Sequence, residues 1–202
     1  MKELEELIAR ARQKNFSYSE YPSIWHDVFE DPIFAPPDVA DRIRNYQNSI
    51  WNALRGNTLI DLGSAYPTQD LLEVVQQSGI RKYIAVDLHV FKDKPVTDFG
   101  LKGMQVEAIS DEMLSYSLGL PDNSSNCMSN AIDDDSALNS HLFHQTLAEI
   151  VLQKTAKGGV ILTFSSLITT FLVNQQNLKQ LDWGLRDPHK STNLDFVFQK
   201  IA

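Results

Sequence analysis

Four groups of polar residues fall where short apolar runs end, and their types suit a ligand rich in hydrogen-bond donors. Asp61, Gly63 and Ser64 close the run that begins at Thr58 and precede a helical pattern. In that context a glycine lets the backbone turn sharply and approach a ligand, because no side chain intervenes at Gly63. The Asp61 carboxylate there would face an ammonium group. Asp87 ends the run Tyr83-Ile84-Ala85-Val86, twenty-four positions after Gly63. That is close to the offset at which a carboxylate accepts hydrogen bonds from both hydroxyls of a ribose. Ser110-Asp111 lies just past a third run, placed to reach an adenine edge, and Asn130 to Asp133 ends a fourth beside the same crevice. The four groups together describe a site for an adenosine-type cofactor.

The elements that must carry these residues are legible in the surrounding pattern. Leu4, Leu7, Ile8 and Ala11 recur at the spacing of one helical face. Residues 15–37 read as irregular, with Tyr18, Tyr21 and Trp25 among their aromatics. A second helix starts near Pro37-Asp38, where proline fits the first turn and aspartate the helix dipole. Ile43, Tyr46, Ile50 and Leu54 give it a buried stripe. From Thr58 onward, strands predicted over 58–62, 82–86, 104–109, 126–132 and 160–164 alternate with helices over 67–78 and before Gly158-Gly159. Such alternation predicts a parallel sheet with helices on both faces, and ligands bind beyond the carboxyl ends of its strands. Runs at 180–185 and 194–199 around a polar turn predict a closing antiparallel hairpin. The organisation expected is a helical extension or cap over 1–55 and a cofactor-binding domain over 56–202.

Composition narrows the partners. Of 202 residues, 43% are hydrophobic and 22% charged, values of an ordinary globular chain with a real core. The net charge of −8 repels phosphate backbones, which argues for a small-molecule acceptor before a protein and against nucleic acid. The single cysteine, Cys127, has no internal disulfide partner and reads as a buried thiol. The first residues lack the pattern of a signal peptide. The most apolar run, 160–173, is interrupted by hydroxyl residues and is too short for a bilayer. A cytoplasmic protein without membrane association is the expectation; the oligomeric state is left open.

From about Thr58 to Phe198 the sequence resembles the class I S-adenosylmethionine-dependent methyltransferases. The resemblance rests on the turn Asp61-Leu62-Gly63-Ser64-Ala65, on Ile84-Ala85-Val86-Asp87, and on Ser110-Asp111 followed by Leu120-Pro121-Asp122-Asn123. It continues through Leu147-Ala148-Glu149-Ile150 to Lys157-Gly158-Gly159-Val160. The implied fold is a Rossmann-like methyltransferase fold, an α/β architecture with a mostly parallel seven-stranded sheet, a C-terminal antiparallel hairpin and helices on both faces. The implied cofactor is S-adenosylmethionine. Asp61 and Gly63 would hold its methionine end, Asp87 its ribose and Asp111 its adenine amino group, with Ser64, Ala65, Leu88 and Ser110 also among the cofactor-binding residues. Asn130 and Ala131 would line the reacting side. The reaction implied is in-line displacement of the methyl by an acceptor nucleophile.

Other readings accompany these residues. Asp111 also suits an N-cap for the 112–117 segment. Asp133-Asp134-Asp135 suits either a solvated loop or a divalent cation, and no metal is expected. His141 and His144, one helical turn apart, are the candidates for a general base, with a structural role as the alternative. The family's turn carries later glycines where this chain has Ala65 and Pro67. That departure motivates a second function: a catalytically inactive protein of this fold that binds the cofactor, its demethylated product or a protein partner. A nicotinamide-dependent oxidoreductase ranks lower, because Ala65 and Thr68 stand where it needs glycines.

Overall fold

The computed structural model describes residues 2–12, 36–64, 69–88, 103–129, 141–163, 165–181 and 196–202. Its elements are α1 (Lys2–Arg12), α2 (Pro37–Leu54), β1 (Thr58–Leu62), α3 (Gln69–Gln77), β2 (Lys82–Asp87), β3 (Gln105–Ser110) and α4 (Met113–Leu118). They continue as β4 (Asn126–Ser129), α5 (His141–Lys154), β5 (Val160–Thr163), α6 (Ser166–Leu172), β6 (Leu178–Leu181) and β7 (Phe196–Lys200). The seven strands form one sheet in the order β3-β2-β1-β4-β5-β7-β6. β1 pairs in parallel with β2 and β4, as do β2 with β3 and β4 with β5. Only β7 runs antiparallel, between β5 and β6.

Strand alternation divides the core in two. Ile60, Leu62, Ile84, Val86, Cys127, Ile161 and Phe198 pack with α1, α4, α5 and α6 on one face. Leu59, Tyr83, Ala85, Met128, Leu162 and Val197 pack with α2 and α3 on the other. α2 buries Ala40, Tyr46, Gln47, Ile50 and Leu54, while Ile43 is only half-buried. α5 buries Phe143, Leu147, Ile150 and Val151, as its spacing predicts. Leu7 of α1 is also buried, so the first helix contributes to the core.

The expected hairpin exists with shifted boundaries, since β6 is Leu178–Leu181 and β7 is Phe196–Lys200. β6 is an edge strand whose side chains are half-buried or exposed, so hydrophobic alternation marks it poorly. β4 is Asn126–Ser129 and β5 Val160–Thr163; the remainders of both predicted strands lie outside the described residues. The predicted helix start at 67 lies outside them as well.

The Gly158-Gly159 pair has two separate causes. Gly158 has φ +78°, a conformation that L side chains rarely adopt. At Gly159 an added Cβ would lie 2.9 Å from the Ala156 carbonyl and 2.9 Å from Asn126 Oδ1. That Asn126 side chain is committed: it donates to Thr58 O at 3.2 Å and accepts from Val160 N at 2.8 Å. It thereby ties the starts of β1 and β5 to β4, the packing role its position suggests. Gly159→Ala is expected to cost about 1–3 kcal/mol, the usual penalty for forcing atoms into a filled site. Urea denaturation would measure it, and an unchanged midpoint would show that the backbone relaxes freely.

Candidate functional site

The carboxyl ends of β1, β2 and β3 lie side by side. Asp61 is the fourth residue of β1 and has no solvent exposure. It shares the α2–α3 face of the sheet with Leu59, and Tyr83 Oη donates to Asp61 Oδ2 at 2.5 Å. Asp61 pairs in register with Ala85, so Tyr83 reaches it diagonally across the strands. Gly63 follows the strand with φ +73°. Its N–H donates to Val86 O at 2.8 Å, and that of Ser64 to the same carbonyl at 3.3 Å. The left-handed turn thus binds the β1 end to β2, as a glycine at this position allows.

Asp87 is the last residue of β2, 5% exposed and in register with Ser110 of β3. Ser110 Oγ donates to Leu88 O at 3.3 Å, linking the two strand ends. Beyond β3, Asp111 Oδ1 accepts the Glu112 N–H at 2.8 Å. The expected cap of the next helix is corrected here: Glu112, not Asp111, is the N-cap of α4. Its two oxygens accept the N–H groups of Leu114 at 3.0 Å and Ser115 at 2.9 Å. One longer carboxylate thereby satisfies two donors that would otherwise lack intrahelical partners.

Burial raises the Glu112 pKa above its ordinary value of 4.5, outweighing the two backbone N–H bonds that pull it down. A carboxyl that binds its proton more tightly in the fold stabilises the fold when protonated. Its contribution is full below 4.5 and is lost as pH rises through the raised folded pKa. Glu112→Gln, which keeps an oxygen acceptor, is therefore expected to flatten the fall in stability that begins above pH 4.5. Thermal melts of both proteins from pH 4 to 7 test this, and parallel curves would contradict it.

The remaining candidates divide by location. Ala65, Asn130, Ala131 and Asp133-Asp134-Asp135 lie outside the described residues, as do Tyr18, Tyr21 and Trp25. His141 is exposed at the first position of α5. His144 is fully buried, with its ring edge-on to Phe143 at 5.8 Å between centroids. The two histidines of α5 therefore stand in opposite environments. Among the described residues, no group of His, Cys, Asp or Glu is arranged to hold a metal ion. No helix of the described residues is long and apolar enough to cross a membrane. The Cys127 thiol is buried, and burial pushes its pKa up, as for an inert core cysteine. Sequence reasoning overlooked Tyr83, Glu112 and Arg12. For Tyr83, the signal was a phenol two positions before the register partner of a buried acid.

No family model and no curated protein matches the sequence. The fold, in contrast, has clear counterparts among solved structures. N-methyltransferase NodS from Bradyrhizobium japonicum aligns over 86% of this chain and 99% of its own, with 9% identity and TM-score 0.52. The Streptococcus mutans candidate methyltransferase SMU.1697c, solved with SAH, aligns over 79% and 98%, with 12% identity and TM-score 0.53. The Escherichia coli candidate methyltransferase yhhF aligns over 83% and 89%, with 11% identity and TM-score 0.53. The chain has the Rossmann-like methyltransferase fold. The antiparallel β7 between β5 and β6 agrees with the hairpin expected for it. In this methyltransferase fold Asp61, Asp87 and Asp111 fall near neighbouring strand ends, which are therefore rich in acceptors. Asp111 is the most exposed, Asp87 is nearly buried, and Asp61 lies beneath the surface bonded to Tyr83. Such strand ends suit ammonium, hydroxyl and amino donors and disfavour a pyrophosphate.

Proposed function

We propose that this protein binds S-adenosylmethionine and transfers its methyl group to a small acceptor. The observation that carries the proposal is the row of three carboxylates at the ends of β1, β2 and β3. Their chemistry fits the donors of this cofactor one by one. Asp61 and the Gly63-Ser64 turn would hold the aminoacyl end, Asp87 and Leu88 the ribose, and Ser110 and Asp111 the adenine amino group. Asn130 and Ala131 would border the methyl, and the 1–55 segment would cap the site.

When bound, the cofactor supplies a methyl already activated by a sulfonium, so the protein's task is mainly orientation. Holding two reactants in line contributes up to about 7–11 kcal/mol. A base is needed only for an acceptor that keeps its proton at neutral pH, and His141 would be the exposed candidate on α5. The net charge of −8 favours a small acceptor over a polyanion.

Calorimetry with S-adenosylmethionine and S-adenosylhomocysteine tests the proposal directly. Binding of both is expected; binding of neither by the wild-type protein would remove it. Ala65 and Pro67, at positions where the family's turn has glycine, favour one alternative, a protein that binds without catalysing. Formation of S-adenosylhomocysteine over a panel of acceptors separates the two readings.

A further inference from the structure

The last turn of α1 reaches the rim of the site from another part of the chain. Arg12 Nη2 lies 3.3 Å from Asp111 Oδ1 and 3.2 Å from Ser115 Oγ of α4. The same Asp111 oxygen accepts the Glu112 N–H at 2.8 Å. Both bonds thus converge on Oδ1, and no hydrogen bond to Oδ2 occurs among the described residues. Leu7 of the same helix is buried in the core, with Leu4 and Ile8 packed against it. The helix is therefore anchored independently of its arginine, and the guanidinium is presented from a fixed base.

We propose that Arg12 is a positioning residue for the purine end of the site: it holds the Asp111 carboxyl in one rotamer and leaves Oδ2 to accept from an exocyclic amino group. This inference rests on the cofactor reading above. A carboxylate pinned through one oxygen loses less rotational freedom when its other oxygen binds a ligand. The bond to Ser115 fixes the guanidinium in turn, so α1, α4 and the β3 end form one unit. The ligand selected is a 6-aminopurine over a 6-oxopurine, since the latter places an acceptor opposite Oδ2.

Calorimetry with S-adenosylhomocysteine and S-inosylhomocysteine on wild type, Arg12→Gln and Arg12→Lys tests the inference. The wild type is expected to prefer the adenosyl ligand. Arg12→Gln should lower that preference by about two- to fivefold, the scale of an exposed ion pair, with Arg12→Lys between. The melting temperature should change little, because Arg12 is half exposed. A preference unchanged in Arg12→Gln would overturn the inference while leaving the cofactor reading intact. Tighter binding of both ligands by that variant would also overturn it, by showing that Arg12 competes for Asp111. If the wild type binds neither ligand, the cofactor reading itself fails and takes this inference with it.

Discussion

Replacing Asp87 by alanine is expected to weaken S-adenosylhomocysteine binding about a hundredfold. The carboxylate stands at the end of β2, 5% exposed, where it would accept from two ribose hydroxyls. Hydrogen bonds to a charged group contribute about 1.5–3 kcal/mol each, and 1.4 kcal/mol is a factor of ten. Two such bonds, partly offset by the cost of desolvating the carboxylate, give the hundredfold figure. Calorimetry on the folded variant measures it, with far-ultraviolet dichroism confirming the fold. Unchanged affinity would remove the ribose assignment while sparing the fold. The conservative change Asp87→Asn, which keeps an acceptor but loses the charge, should fall between.

The largest effect on stability is expected at the opposite end of the sheet. Lys200, in β7, is 7% exposed, and its ammonium donates to Asn123 Oδ1 at 2.8 Å and to the carbonyls of Leu152 and Thr155 at 2.9 Å. Three donors thus meet three acceptors. Leu152 lies in the last turn of α5 and Thr155 directly follows it, where helix carbonyls lack intrahelical partners and the dipole favours a cation. Burial nonetheless lowers the Lys200 pKa, because desolvation outweighs the attraction of Asp122. Lys200→Met keeps the aliphatic stem and removes every donor. Leaving buried acceptors unpaired costs about 1–3 kcal/mol each, so a total near 3 kcal/mol is expected after some rehydration. For a domain of this size that lowers Tm by about 6–12 °C. A calorimetric melt within a degree of wild type would show that water replaces the ammonium without loss.

Much of this architecture was readable because its signals are local. Short apolar runs ending in turn residues located β1 to β5, and the apolar spacing of α2 and α5 located their buried faces. The signals weakened where structure depends on partners distant in sequence. Tyr83 reads as one more aromatic strand residue; only the register of β1 with β2 brings its hydroxyl to Asp61. Arg12 reads as part of a charged helix surface, and its approach to Asp111 follows from how α1 packs. At the start of α4, capping preferences favour aspartate, yet Glu112 does the capping because its longer side chain spans two donors. The edge strand β6 was misplaced because its side chains are partly exposed and leave no clear alternation.

The position of β7 also bears on how the chain folds as it is synthesised. β7 follows every other strand in the sequence, yet it lies between β5 and β6 rather than at an edge. Until it emerges, β5 presents one unpaired edge and β6 has no partner in the sheet. The earlier strands can associate on the ribosome, but the sheet cannot be completed there before residues 196–200 are free. Non-local pairing of this kind folds slowly, and open strand edges in the interim recruit other chains. Yield of native protein should therefore fall with the time nascent chains wait with that gap open, which favours prompt completion of the chain at low concentration.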